Sequence, residues 1–226
     1  MKELDLVYML IAELVPLSAT MFSFIYGLTH FFGKGKPLFL QSVTMAMGCH
    51  SLGSIYHLCQ TFTTETVLEG FTPAYLGRIG FFLFLITASY GQMDRILDDG
   101  SPKFKPSRVI ALIAPICAIA LYVPSGMIKD MPMATKIAVL LVWLPASISV
   151  YYNLKHAIIP DCDFGFTKAI KPYNILATIL GFAEMLCLTA WDFLYGTQLV
   201  ICCFIFAIFC VATICAAKKG AEKWRI

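Results

Sequence analysis

Residues 197–217, TQLVICCFIFAIFCVATICAA, form a run of 21 residues that contains no charged side chain and ends directly before Lys218 and Lys219. A helix of about 20 apolar residues, each rising about 1.5 Å, crosses the hydrocarbon core of a bilayer, which is about 30 Å thick. Lysines at the end of such a run suit the boundary between membrane and water. The segment therefore predicts a transmembrane helix.

Six segments upstream have a similar length and composition. Charged residues make up only 14% of the 226 residues, compared with about a quarter in a soluble domain. The first segment lacks the basic flank and cleavage site of a signal peptide, so we expect it to remain as a helix. We predict a single all-α, polytopic membrane domain over residues 1–226. Its seven helices, numbered 1 to 7, cover about 5–32, 37–62, 73–97, 107–128, 133–157, 172–194 and 197–217.

Lysine and arginine are unevenly distributed between the two ends of this bundle. Of the 17 basic residues, 13 lie in the connections 1–2, 3–4 and 5–6 or in the C-terminal tail, and four lie at the opposite end. Because basic loops stay in the cytoplasm, we predict an external N-terminus and a cytoplasmic C-terminus in the cell membrane. The net charge of +3 is too small to indicate nucleic acid binding, so the bilayer is the partner that the composition indicates.

The nine cysteines indicate neither a disulfide framework nor a metal site. Eight of them lie inside predicted helices, where a buried thiol behaves as a small apolar group, and no CxxC spacing occurs. We predict no metal and no cofactor.

An internal repeat is indicated by four features that recur in the same order. Helices 1 and 5 share a central proline and then the pattern Y-x-L-x-H, while helices 2 and 6 share an opening Lys-Pro pair and then a glycine. The pairs are Pro16 and Pro145, Tyr26–His30 and Tyr152–His156, Pro37 and Pro172, and Gly48 and Gly181. This order favours two parallel halves, helices 1–3 and 5–7, joined by helix 4. Chance is the alternative, because proline often opens helices and tyrosine is common at membrane interfaces.

The layout is similar to the three-plus-one-plus-three plan of the SWEET and PQ-loop transporters, mainly in its proline positions. The Pro-Gln pair that names the PQ-loop family is absent, since Leu17 follows Pro16 and Ala146 follows Pro145. The resemblance implies a transporter with its substrate site at the interface of the two halves.

Polar side chains inside the helices are the candidate functional residues, because a charge at the centre of a bilayer costs at least ~2.5 kcal/mol. On helix 2, a polar stripe with spacings of four, three and four consists of His50, Ser54, His57 and Thr61. The predicted ligand-binding residues are Glu13, His50, His57, Arg78, Gln92, Glu184, Trp191 and Asp192. The predicted topology puts five of them in the outer half of the membrane, namely Glu13, His57, Arg78, Glu184 and Asp192.

Two interpretations of this group are open. In the first, the side chains line an outward-facing cavity that binds a small polar or charged molecule, with Glu184 as the main residue. The replacement Glu184→Gln should then abolish ligand binding. In the second, the group is structural, with Arg78 paired to Glu13 or Glu184 and the histidines donating to backbone carbonyls. Asp94-Arg95, at the end of helix 3, is interpreted as an ordinary interfacial pair.

Transport of a small polar solute, with proton coupling through Glu184 or His57, is the function that we expect. The alternative is a ligand sensor that signals through a separate cytoplasmic partner. A transporter should have a thin gate near Tyr26, Tyr90 and Tyr152, whereas a sensor should be densely packed there. Catalysis is not expected, since the motifs HExxH and GxSxG are absent. An intramembrane hydrolase that uses His57 with Glu13 or Glu184 stays open as an alternative. Assembly into a homo-oligomer also stays open.

Overall fold

Long helices account for almost all of the structure, a computed structural model that describes residues 3–63, 70–123, 132–160, 165–194 and 196–224. No β-strand occurs within these ranges. Five of the seven helices are continuous. They are helix 1 (Glu3–Phe31), helix 2 (Leu38–Thr63), helix 5 (Met133–Ile158), helix 6 (Phe166–Phe193) and helix 7 (Thr197–Trp224).

Helices 3 and 4 are composite. Helix 3 consists of an α-helix over Pro73–Ile86, a π-helix over Thr87–Asp94 and a final α-helical turn over Arg95–Leu97. Pro73 follows the extended residue Thr72 at the helix start, where a missing N–H costs nothing. Helix 4 consists of a 3₁₀ turn over Pro102–Phe104 and α-helices over Lys105–Ala111 and Ile113–Tyr122. Residues 124–128, predicted to end helix 4, lie outside the described ranges.

Two predicted helix boundaries were wrong. Helix 6 begins at Phe166 rather than at residue 172, so Pro172 lies inside the helix and not at its start. An internal proline removes one backbone hydrogen bond, but it leaves the remaining hydrogen bonds of the helix in place. Helix 7 continues from residue 217 to Trp224, because the lysine-rich tail keeps good helix formers after the apolar run ends.

The helices form a ring. Helices 1, 2, 3, 5, 6 and 7 each pack against the next, and helix 7 packs back against helix 1. Helix 4 lies outside this ring against helices 5 and 6, where the indole nitrogen of Trp143 donates to the carbonyl oxygen of Ala118 over 2.8 Å. The end of the bundle where helix 1 begins is named the N-terminal end. The opposite end, which carries Lys34, Lys36, Lys103, Lys218 and Lys219, is named the basic end.

The outer surface of the bundle is apolar. Large side chains such as Leu52, Ile116 and Ile208 are each more than 60% exposed, which suits contact with lipid rather than with water. Within the described residues, six helices are long and apolar enough to cross a membrane, whereas helix 2 falls short. Its polar side chains point inward instead, since Ser42, Thr44, His50, Ser51 and Ser54 are all buried. The chain is therefore an all-helical, multi-pass membrane bundle.

Candidate functional site

Helices 2 and 3 approach unusually closely beside the predicted site. An ideal Cβ on Gly77 would lie 2.5 Å from the Cα of Gly53 and 2.6 Å from the carbonyl oxygen of Cys49. Only glycine fits at such a contact, and small residues of this kind let membrane helices pack backbone to backbone. This approach brings Arg78, the next residue on helix 3, to the level of His50 on helix 2.

A buried cluster joins three helices at this level, and we name it the Arg78–Glu184–His50 cluster. The Nε of Arg78 donates to Oε1 of Glu184 over 3.1 Å. The Nε2 of His50 lies 3.1 Å from Oε2 of the same carboxylate, at an angle outside the range of a well-directed hydrogen bond. The Glu184 and His50 side chains are 3% and 2% exposed, whereas the Arg78 side chain retains 14%. The carboxylate therefore compensates the arginine inside the bundle.

Aromatic rings cover one side of the cluster. The His50 ring stacks on Phe206 of helix 7 at a centroid distance of 4.8 Å, and it meets the edge of Phe81 at 5.4 Å. The hydroxyl group of Ser54 lies 3.3 Å from the other ring nitrogen of His50, Nδ1. This apolar wall lowers the local dielectric and strengthens the electrostatic interaction between Arg78 and Glu184.

Glu13 and His57 form a second, separate pair. Oε1 of Glu13 on helix 1 bonds to Nδ1 of His57 on helix 2, with Glu13 buried and His57 about a third exposed. His57 lies two turns after His50, or about 10 Å along the helix. Four residues of the predicted outer-half group therefore divide between two clusters, Glu13 with His57 and Arg78 with Glu184. Each histidine faces a carboxylate rather than a backbone carbonyl.

Of the remaining predicted residues, only Gln92 can be placed, and it does not extend either cluster. Gln92 lies in the π-helical segment, 14 residues after Arg78 and therefore roughly 20 Å farther along helix 3. Trp191 and Asp192 belong to helix 6, but their side chains lie outside the described part of the structure. Among the residues that the structure describes, no group of three or more His, Cys, Asp or Glu side chains is placed to hold a metal ion.

The sequence analysis missed a buried ionic network at the basic end. Asp94 on helix 3 accepts from Nζ of Lys155 and lies 2.8 Å from Nε2 of His156, both on helix 5. Asp98, just beyond helix 3, pairs with Arg108 of helix 4 and lies 3.2 Å from Nζ of Lys155. From the sequence, Asp94 is interpreted as interfacial and Lys155 is counted in the connection 5–6, but Lys155 is 3% exposed. The sequence signal was present as charged residues at the adjoining ends of helices 3, 4 and 5.

Asp98 has an altered acidity within this network. Arg108 donates to the carboxylate from Nε over 2.8 Å, and Gly100 donates its backbone N–H over 3.1 Å. The hydrogen bond from Arg108, supported by Gly100 and Lys155, holds the pKa of Asp98 well below its usual range despite partial burial. Asp98 is therefore ionised at any physiological pH.

Polar and aromatic side chains fill the bundle just inside the basic end. Ser89 on helix 3 bonds to Asn153 on helix 5, and both are fully buried. The rings of Tyr90 and Tyr152 lie 4.9 Å apart, and the buried Tyr173 packs edge-on against Phe39 at 4.8 Å. Near Tyr26, a surface cavity of about 270 Å³ is lined by His30, Phe31, Lys36, Leu40, Lys218, Ala221 and Glu222.

No protein-family model, no curated protein and no solved structure matches the chain.

Proposed function

We propose that the protein is a carrier for a small polar or charged molecule, with its binding site at the Arg78–Glu184–His50 cluster. The observation that carries this proposal is that the three residues come from helices of both proposed halves. His50 comes from helix 2 and Arg78 from helix 3, whereas Glu184 comes from helix 6. Under the proposed repeat the cluster lies between the two halves, which is where repeat-built transporters bind their substrates.

The order of helices around the ring supports the repeat. Helix 1 packs against helix 2 as helix 5 packs against helix 6, and helix 2 packs against helix 3 as helix 6 packs against helix 7. The two junctions also correspond, since helix 3 packs against helix 5 and helix 7 packs against helix 1, and helix 4 stays outside the ring. The two glycines also pack alike. Gly48 lies against Phe24, and Gly181 lies against Val150, and each partner precedes the tyrosine of a Y-x-L-x-H pattern by two residues. Pro16 and Pro145 both lie inside their helices, whereas the second proline pair does not contribute, since Pro37 precedes helix 2 and Pro172 lies inside helix 6.

Seven crossings of the cell membrane, with the N-terminal end outside, complete the proposal. The excess of lysine and arginine at the basic end supports this orientation. The cluster then lies in the outer half of the membrane, within reach of solutes from outside. Each cluster contains a histidine in contact with a carboxylate, and such a pair can exchange a proton during transport. The pairs are His50 with Glu184 and His57 with Glu13.

A ligand sensor is the second candidate, and the buried, bonded side chains of Ser89 and Asn153 at the basic end favour it. A sensor has no need of a passage there, and the buried ion pairs of Asp94 and Lys155 hold helices 3 and 5 together. Such a protein would report ligand binding to a separate cytoplasmic partner. Solute flux separates the two candidates, because a sensor binds its ligand without moving it.

The test begins with purified protein in detergent and a thermal-unfolding screen against amino acids, sugars, organic acids, nucleosides and polyamines. A compound that raises the unfolding temperature is then assayed for uptake into proteoliposomes with an imposed pH gradient. We expect saturable uptake by the native chain and loss of both binding and uptake in Glu184→Gln, because Arg78 loses its compensating charge and its fixed orientation. Binding without flux would support the sensor, whereas unchanged affinity in Glu184→Gln would remove this site from both candidates.

Lys136→Gln is the matched control for that variant. Lys136 also belongs to the N-terminal end, on helix 5, and is half-buried, but it is not part of either cluster. A general loss of stability or of insertion would affect both variants, whereas a specific role of Glu184 affects one.

A further inference from the structure

The guanidinium group of Arg78 is only partly used by the protein. Its Nε donates to Glu184, but the two terminal nitrogens donate to no residue in the described ranges. A guanidinium carries five N–H donors, so four of them remain available. Donors inside a membrane bundle need an acceptor, because an unpaired polar group in an apolar environment is costly. The side chain also keeps 14% exposure, so part of it can be reached from outside the protein.

We propose that the solute bound at this site carries a carboxylate, held by the terminal nitrogens of Arg78 in a two-pronged contact. The inference rests on the proposed function and names the substrate class of the same site. Two parallel N–H groups match the two oxygens of a carboxylate in spacing and plane. The carboxylate of Glu184 accepts a hydrogen bond from Nε of Arg78 and so fixes the orientation of the guanidinium plane.

Charge balance then requires a proton to bind with the solute. The Arg78–Glu184 pair is neutral, so an added carboxylate leaves one uncompensated negative charge inside the bundle. His50 is the group placed to take up a proton, since its Nε2 lies 3.1 Å from Glu184. The other titratable groups near Glu184 are the thiols of Cys187 on helix 6 and Cys210 on helix 7. Glu13, from helix 1, is paired with His57. Carboxylate binding should therefore strengthen as the pH falls.

A phospholipid headgroup is a second source of the same oxyanion chemistry. Arg78 is the sixth residue of helix 3, about 8 Å from its first residue, so a phosphate at the membrane surface is within reach of the same fork. The two sources differ in that a lipid phosphate stays in the membrane, whereas a soluble carboxylate does not.

The test measures thermal unfolding in a phosphate-free maltoside detergent. The probes are acetate, lactate, succinate and glutamate, each paired with its amide, together with inorganic phosphate and added phosphatidylglycerol. We expect at least one carboxylate, and not its amide, to raise the unfolding temperature saturably. Arg78→Lys keeps the charge that pairs with Glu184 but lacks the fork, so it should weaken this binding by about tenfold or more. Lys136→Gln should bind as the native chain does.

The pH dependence supplies an independent readout. Affinity for the carboxylate should rise between about pH 8 and about pH 5, and His50→Gln should flatten that dependence. Arg78→Lys with native affinity would overturn the proposal, and so would stabilisation by phosphatidylglycerol alone. An uncharged solute that binds, and is lost in Glu184→Gln, would overturn the carboxylate inference while leaving the proposed function in place. If none of the solutes in the screen binds, both fail.

Discussion

The charged side chains of this bundle are arranged in pairs across helices, and the pairing explains why they are tolerated inside a membrane. Each carboxylate of the two clusters faces a basic group, and so do Asp94 and Asp98 at the basic end. Removing one member of such a pair leaves the other buried without compensation, which costs more than the pair itself contributes.

Asp98→Asn should destabilise the protein at neutral pH by about 1–3 kcal/mol, because Arg108 and Lys155 lose a charged acceptor. A carboxyl whose folded pKa is lowered stabilises above its unfolded pKa, near 4, and this contribution disappears as the pH falls toward the folded pKa. The native chain and the variant should therefore differ in unfolding temperature at pH 7, and the difference should begin to shrink only below about pH 4.

Asp99→Asn is the control for this measurement. Asp99 is the adjacent carboxylate, but it is exposed and accepts from Ser101 rather than from a basic side chain. Its replacement should change the unfolding temperature little at either pH. Equal effects of the two variants at pH 7 would contradict the role assigned to the buried network.

Which residues carry charge inside the bundle could be predicted from the sequence, but their pairing could not. A charged residue in an apolar run stands out because lipid does not tolerate it alone. Arg78, however, had two acidic candidates, and the order of helices around the ring decides between them. Helix 1 packs against helix 2, so Glu13 meets His57, and Glu184 is left for Arg78.

At the scale of the helix, the contact between helices 2 and 3 determines where Arg78 lies. Gly77→Ala would place a methyl group within 2.7 Å of backbone atoms of Gly53 and Cys49, which cannot move independently of their helix. We expect a loss of about 1–3 kcal/mol of stability, since helix 3 must shift outward. Ligand binding at the cluster should weaken as well, because Arg78 moves with the helix. Thermal unfolding and the carboxylate titration would measure the two effects.

Gly91→Ala is the matched substitution on the same helix. A Cβ there would meet nothing closer than a methyl carbon of Thr87 at 3.8 Å, so we expect near-native stability and binding. If Gly91→Ala were as harmful as Gly77→Ala, loss of glycine flexibility rather than the close contact would be responsible.

The helices themselves were largely predictable, because an apolar run of about 20 residues has few other structures available in a membrane. The π-helical segment of helix 3 was not, since a shift from i→i+4 to i→i+5 hydrogen bonds has no residue signature. Its effect is to rotate the residues after Thr87, among them Ser89 and Asp94, relative to Arg78. The start of helix 6 was misplaced because proline favours a first helical position without requiring one.

For the whole molecule, orientation is the property on which every assignment of depth depends. A phosphatase reporter fused after Ile226 should be inactive and a fluorescent protein at that position bright, because the C-terminus is predicted to be cytoplasmic. The opposite pattern is expected for fusions at the N-terminus. An active phosphatase at the C-terminus would move the Arg78–Glu184–His50 cluster to the inner half of the membrane and turn the proposed site toward the cytoplasm.

The polar character of helix 2 also has a consequence for the synthesis of the protein. A nascent segment enters the bilayer from the translocon according to its own hydrophobicity, and helix 2 is the segment that lacks enough of it. Its histidines and serines become acceptable to lipid only after helices 1 and 3 cover them. In a seven-crossing protein, helix 2 would therefore wait beside the translocon until Arg78 and the rest of helix 3 had been made. If translation stopped before that point, helix 2 could still return from the membrane to the aqueous phase.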